Sequence, residues 1–212
     1  MTINPKSVLI EERWNTYSHA LGIVLSVVGL IVFLQRDLFD TPYLYVSIVI
    51  YSTSLILLFS ASTFYHAVQN PKLKKKLRIL DHISIYYLIA GTYTPVCLTV
   101  LIDSKGWLLF YAVWGIALFG TLLKLFFTGK FEVFSLVLYG VMGWLVVIDY
   151  PFLSENLSST GMFYLALGGA FYTIGIIFYA IKKIPYNHFI WHIFVLGGAI
   201  SHWFLILTET LS

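Results

Sequence analysis

His188 and His192 stand four residues apart in an otherwise apolar stretch. On a helix that spacing puts both rings on one face, about 40° apart around the axis and about 6 Å apart along it. Such a pair can bind a single metal ion. His66, in a different apolar stretch, can supply a third nitrogen, and Ser62, one turn before it on the same face, can hydrogen-bond within such a site. Asp81 has two readings: a carboxylate that N-caps a helix, where the dipole favours it, or a group that enters the site. Three histidines with a fourth position open make a catalytic-type zinc site, because structural zinc sites close all four positions, usually with cysteine. An aspartate beside the open position can orient or deprotonate a water. Zinc suits the cluster better than copper or iron, since neither methionine nor cysteine accompanies it.

The elements that must position these residues follow from composition. Of 212 residues, 59% are hydrophobic and only 11% charged, against roughly 25% charged in soluble domains; the mean hydropathy is +0.85. This excludes an ordinary soluble enzyme, a disordered chain and a nucleic-acid binder with a broad basic face. The single cysteine, Cys97, excludes an internal disulfide framework and a thiolate-rich zinc site, and no disulfide-linked partner is expected. At about 20 residues per membrane helix, the chain reads as an all-α polytopic membrane protein. Seven spans are expected at 17–34, 43–66, 79–101, 107–127, 133–149, 161–181 and 188–208, in one domain covering 1–212. The breaks are Arg36-Asp37 through Pro42, Pro71 to Arg78, Asp103 to Gly106, Thr128-Gly129-Lys130, Pro151 to Gly161, and Lys182-Lys183 to Pro185. The first span begins only after Glu11, Glu12 and Arg13 with no small-residue cleavage site behind it, so it is expected to be retained.

Lys and Arg fall unevenly on alternate sides of these spans. Lys6, Arg13, Lys72, Lys74, Lys75, Lys76, Arg78, Lys124, Lys130, Lys182 and Lys183 lie on one side, and Arg36 and Lys105 on the other. The positive-inside rule then puts the N-terminus in the cytoplasm and the C-terminus outside, in a multi-pass protein of the plasma membrane. The basic run Lys72–Arg78 reads as a topology determinant at anionic headgroups. Lys124, in the last turn of the fourth span, is expected to snorkel to the cytoplasmic headgroups.

An ionisable group inside a span costs roughly 2.5–3.5 kcal/mol on insertion scales, so clustering carries meaning. His19, His66, His82, His188 and His192 all fall at cytoplasmic span ends beside Asp81, and only His202 lies toward the other leaflet. Glu12, Asn15 and His19 form one helical stripe, either a polar helix start with Asn15 near a cap or a support around the metal cluster. Gly91-Thr92-Tyr93-Thr94-Pro95 should bend the third span and free carbonyls inside the bundle. Trp14, Trp107 and Trp191 read as interfacial anchors, and Cys97 as a small core residue.

Taken in order, Glu12-Arg13-Trp14-Asn15 through His19, Ser62-Thr63-Phe64-Tyr65-His66, Asp81-His82 followed by Ala90 to Pro95, and His188-Phe189-Ile190-Trp191-His192 resemble the hemolysin III family of bacterial membrane proteins. The resemblance runs over essentially the whole chain and extends to the superfamily of progestin and adiponectin receptors (PAQR-like). It implies seven helices, an internal N-terminus and a zinc ion near the cytoplasmic face. It also implies that His66, His188 and His192 are the ligands, with Asp81 beside the water at the metal and Ser62 as the serine of a Ser-x-x-x-His motif. The superfamily looks related to ceramidases, so metal-assisted hydrolysis of a lipid amide or ester is the leading expectation, with membrane lipids as the partners. The alternatives are a membrane-homeostasis or receptor-like protein whose zinc only staples helices, and a cytolytic channel. An open coordination position joined to a lipid-accessible cavity favours the first, a closed dry site the second, and a continuous hydrated path the third.

Overall fold

The computed structural model describes residues 5–38 and 41–210, with side chains from Val8 onward. Lys6, counted in the charge asymmetry, has only its backbone described, and Phe39-Asp40 of the first break lie outside the described residues. The described residues contain helices α1 (Pro5–Leu34), α2 (Leu44–Ala67), α3 (Pro71–Pro95), α4 (Gly106–Phe127), α5 (Glu132–Trp144), the short α6 (Tyr150–Asn156), α7 (Ser159–Ala180) and α8 (Asn187–Thr210), and no strand. Seven helical segments are long and apolar enough to cross a membrane, and α5 and α6 together make the fifth, Glu132–Asn156. Helices are what a bilayer core requires, because each satisfies its own backbone hydrogen bonds.

Three boundaries differ from the sequence reading. The first helix starts at Pro5, not 17. The third starts at Pro71, because Asn70 caps it, accepting from Lys72 N and Leu73 N at 3.0 and 3.1 Å; proline at the first helical position costs nothing there. The basic run 72–78 is therefore the first two turns of α3 and not a break. The fifth span continues past 149 through a 3₁₀ turn, Leu145–Asp149, into α6. Its interrupted backbone is tied down from α3: Tyr93 donates to Gly143 O at 2.8 Å and accepts from Val146 N at 2.9 Å.

The expected distortion after Gly91–Pro95 takes the form of a π turn, Val96–Val100. Proline cannot donate to the carbonyl one turn back, and single π turns relieve such defects. The next helix begins hard against it. A Cβ at Gly106 would strike the carbonyl oxygens of Cys97 and Leu101, so only glycine fits. Cys97 itself is fully buried.

Helix α2 packs between α1 and α3, α3 packs on α4, α7 pairs with α8, and α8 returns against α1. Two apolar clusters result. Tyr86, Ala90, Val113, Tyr139 and Met142 join α3, α4 and α5, while Phe33, Tyr51, Phe59, Trp191 and Val195 join α1, α2 and α8. Large apolar residues such as Val24, Leu108, Leu118, Phe126 and Phe163 stay exposed, as a lipid-facing surface requires. Trp14 and Trp107 are among the exposed ones. Trp191 is not an interfacial anchor: it is buried, with its ring against Gly175 and Tyr179 of α7.

Candidate metal centre

Helices α2 and α8 bring His66, His188 and His192 together, with one ligand atom from each lying within 4.8 Å of the others. The ring centroids are 4.9–5.0 Å apart and the ring planes cross at 57–74°, so no two of the three rings stack. His188 and His192 owe this to the four-residue spacing on α8, and His66 to its place one turn after Ser62 near the end of α2.

Neighbouring groups fix which nitrogen each ring presents. His66 Nδ1 lies 3.2 Å from Glu12 Oε2, a carboxylate that can only accept, so Nδ1 carries the proton and Nε2 keeps its lone pair. That Nε2 is buried and has no hydrogen-bond partner. His192 Nδ1 lies 3.2 Å from Asn15 O and 3.3 Å from Ser18 Oγ, which again leaves Nε2 available. Glu12 is itself held by Lys74 Nζ of α3 at 2.5 Å. Histidine ligands of metals usually have their other nitrogen occupied in this way. The arrangement fits a divalent metal with a preference for nitrogen: three imidazoles, two of them pre-oriented, and one orphaned lone pair that otherwise stays unsatisfied.

The stripe Glu12, Asn15 and His19 therefore supports the cluster. Asn15 is not a cap, since it sits deep in α1. His19 stacks flat on His192, centroids 3.6 Å apart and planes 9° apart. Glu11 adds a contact that spacing did not single out, its Oε1 accepting from the backbone N–H of His188 at 3.2 Å.

Asp81 is buried, well inside α3, so the N-cap reading falls; Asn70 has that role. Ser62 of α2 is buried as well. Both residues line a cavity of about 110 Å³ together with His19, His188 and His192. From there the cavity runs past Leu88, Ile89 and Val195 to Trp144, Tyr172 and His202.

His82 is not part of the triad. Its carbonyl accepts from Tyr139 at 2.9 Å and its Nδ1 stands 3.8 Å from Glu132 Oε2. Lys124 does not snorkel: it is 1% exposed and its Nζ meets Glu132 Oε2 at 3.2 Å. Arg78 Nη2 approaches the other oxygen at 3.4 Å. An apolar helix around a lysine suggests snorkelling, but a carboxylate at the start of the next helix offers a nearer partner.

A family profile described as Haemolysin-III related matches residues 8–203. The chain is 40% identical over 198 residues to Hemolysin-3 of Bacillus cereus, covering 93% of this chain and 90% of that one. It is 42% identical over 200 residues to a Hemolysin-3 homolog of Bacillus subtilis (strain 168), covering 93% of each. It is also 30% identical over 213 residues to the monocyte to macrophage differentiation factor of Homo sapiens, covering 95% of this chain and 85% of that one.

Proposed function

The chain belongs to the haemolysin-III-related family of multi-pass membrane proteins, and from that premise we propose that it is a zinc-dependent hydrolase of the plasma membrane acting on a lipid amide or ester. The observation that carries this reading is the shared cavity: Asp81 and Ser62 line the same space as His188 and His192, and that space continues between apolar side chains into the bundle. A purely structural site has no need of it.

His66, His188 and His192 would hold the ion, which when bound supplies Lewis acidity toward a carbonyl and acidifies water. The chain's own groups do the rest. Glu12 and Asn15 keep the imidazoles in the tautomer that offers Nε2. Asp81 takes the proton from the attacking water at its carboxylate and returns it to the leaving nitrogen or oxygen. Ser62, which lines the same cavity, offers a hydroxyl that can donate to that carboxylate or to the substrate. The apolar walls exclude bulk water and align the acyl chain with the polar end. The charge asymmetry favours an N-terminus in the cytoplasm, with the histidine cluster near that face.

A second reading draws on the origin of the ligands. His66 belongs to α2 and the other two to α8, so a metal here would also staple those helices. One experiment separates them. Purified protein is reconstituted into liposomes with ester- and amide-linked lipids, and free fatty acid is followed before and after zinc removal. Turnover that stops on chelation and returns with zinc supports the hydrolase. Absence of turnover of every lipid class by fully metal-loaded protein leaves the staple.

A further inference from the structure

At its far end the cavity meets two polar side chains for which the proposed hydrolysis has no use. His202 of α8 and Tyr172 of α7 both line it, with ring centroids 5.6 Å apart. Each ring is seated on a glycine of the opposite helix. Gly168 of α7 lies beneath His202, and Gly198 of α8 lies beneath Tyr172, where an added Cβ would meet the ring at 2.7 Å. A larger residue at either place would displace the ring, so the two helices are shaped to receive this pair.

The hydrogen-bonding capacity of the pair is specific. His202 Nε2 lies 3.4 Å from the Leu165 carbonyl, which only accepts, so Nε2 carries the proton and Nδ1 of the neutral ring is an acceptor. That Nδ1 and the Tyr172 hydroxyl are both buried without a partner. Native structures satisfy nearly all such groups, so something supplies a donor and an acceptor here. Ten residues along α8 separate His202 from His192, a rise of about 15 Å.

We propose that Tyr172 and His202 form a hydroxyl-binding subsite, and that the cavity takes a lipid whose chain carries a hydroxyl about 15 Å from the group held at the histidine cluster. This rests on the reading of the cavity as a lipid site. A hydroxyl suits both partners, donating to Nδ1 and accepting from Tyr172. A ketone or an ionised carboxylate has no proton for Nδ1, and a plain methylene chain leaves both groups unpaired. A trapped water has the same capacity as a hydroxyl, and the test separates the two.

The probes are stearic acid and a hydroxystearic acid with its hydroxyl about two-thirds of the way along the chain, titrated by calorimetry into the protein as purified from membranes. The hydroxylated acid is expected to bind about 3–10-fold tighter, the worth of one satisfied hydrogen-bonding site. Tyr172→Phe and His202→Phe each remove that preference while stearic acid binds as before. Tyr172→Phe keeps the ring on Gly198 and decides the matter alone where His202→Phe fails to fold. Equal binding of the two acids by the wild type overturns the subsite and assigns the pair to water, leaving the lipid reading intact. A preference that survives in Tyr172→Phe overturns it as well. Binding of neither acid overturns the lipid reading and the subsite with it.

Discussion

Glu12 Oε2 accepts from two donors on two other helices, His66 Nδ1 of α2 at 3.2 Å and Lys74 Nζ of α3 at 2.5 Å. One carboxylate thus sets the tautomer of a candidate ligand and ties α1, α2 and α3 together at the end of the bundle that carries the site. Glu12→Gln keeps the size and loses the charge. Metal affinity, measured by competition with a chromogenic chelator, should fall by roughly 10–100-fold, the usual effect of removing a group that orients a ligand. An unchanged affinity would show that His66 needs no such support.

Replacement of His188 or His192 by alanine should remove most of the bound metal, determined by elemental analysis of purified protein. His82→Ala should retain it, because His82 faces Glu132 and not the triad. Full metal content after replacing His66, His188 and His192 together would end the metal assignment.

Asp81→Asn separates chemistry from stapling. The amide preserves shape, but it cannot take a proton. Lipid turnover in reconstituted bilayers should fall by about 10²–10⁴, the contribution of a positioned acid–base group, with metal content retained. Equal turnover at equal metal content removes Asp81 from the mechanism.

Lys124→Met tests the ion pair with Glu132. The lysine is buried but Glu132 is 33% exposed, so the variant should lose about 1–2 kcal/mol of stability, less than the loss of a fully buried pair. A double-mutant cycle with Glu132→Gln, read by thermal unfolding in detergent, should show coupling between the two. Additive losses would mean that the pair contributes nothing.

Orientation is open to cysteine labelling in intact cells, with the native Cys97 buried and silent. A membrane-impermeant reagent should reach a cysteine placed at Glu209 and miss one at Lys74. The reverse pattern would turn the bundle over and move the histidine cluster to the outer leaflet.

The apolar runs alone determined the seven spans, because a bilayer core accepts hydrophobic segments of this length only as helices. Spacing along single helices was equally legible: His188 with His192, Ser62 with His66, and the stripe of Glu12, Asn15 and His19 all share a face in the structure as they do on a helical wheel. Helix ends were less so, since hydropathy marks where a helix is wet and not where it stops. Asn70-Pro71 starts α3 well before its apolar part.

Tertiary structure alone decided what crosses between helices. It placed Asp81 on one cavity with Ser62 instead of at a cap, paired Lys124 with Glu132 instead of headgroups, buried Trp191 against Gly175, and set Tyr172 and His202 on each other's glycines. Each depends on the rotation and relative depth of two helices, which packing fixes through small residues and close side-chain fits. Hydrophobicity along one strand of sequence carries no record of either, because lipid and helix interior are about equally apolar to the residue that faces them.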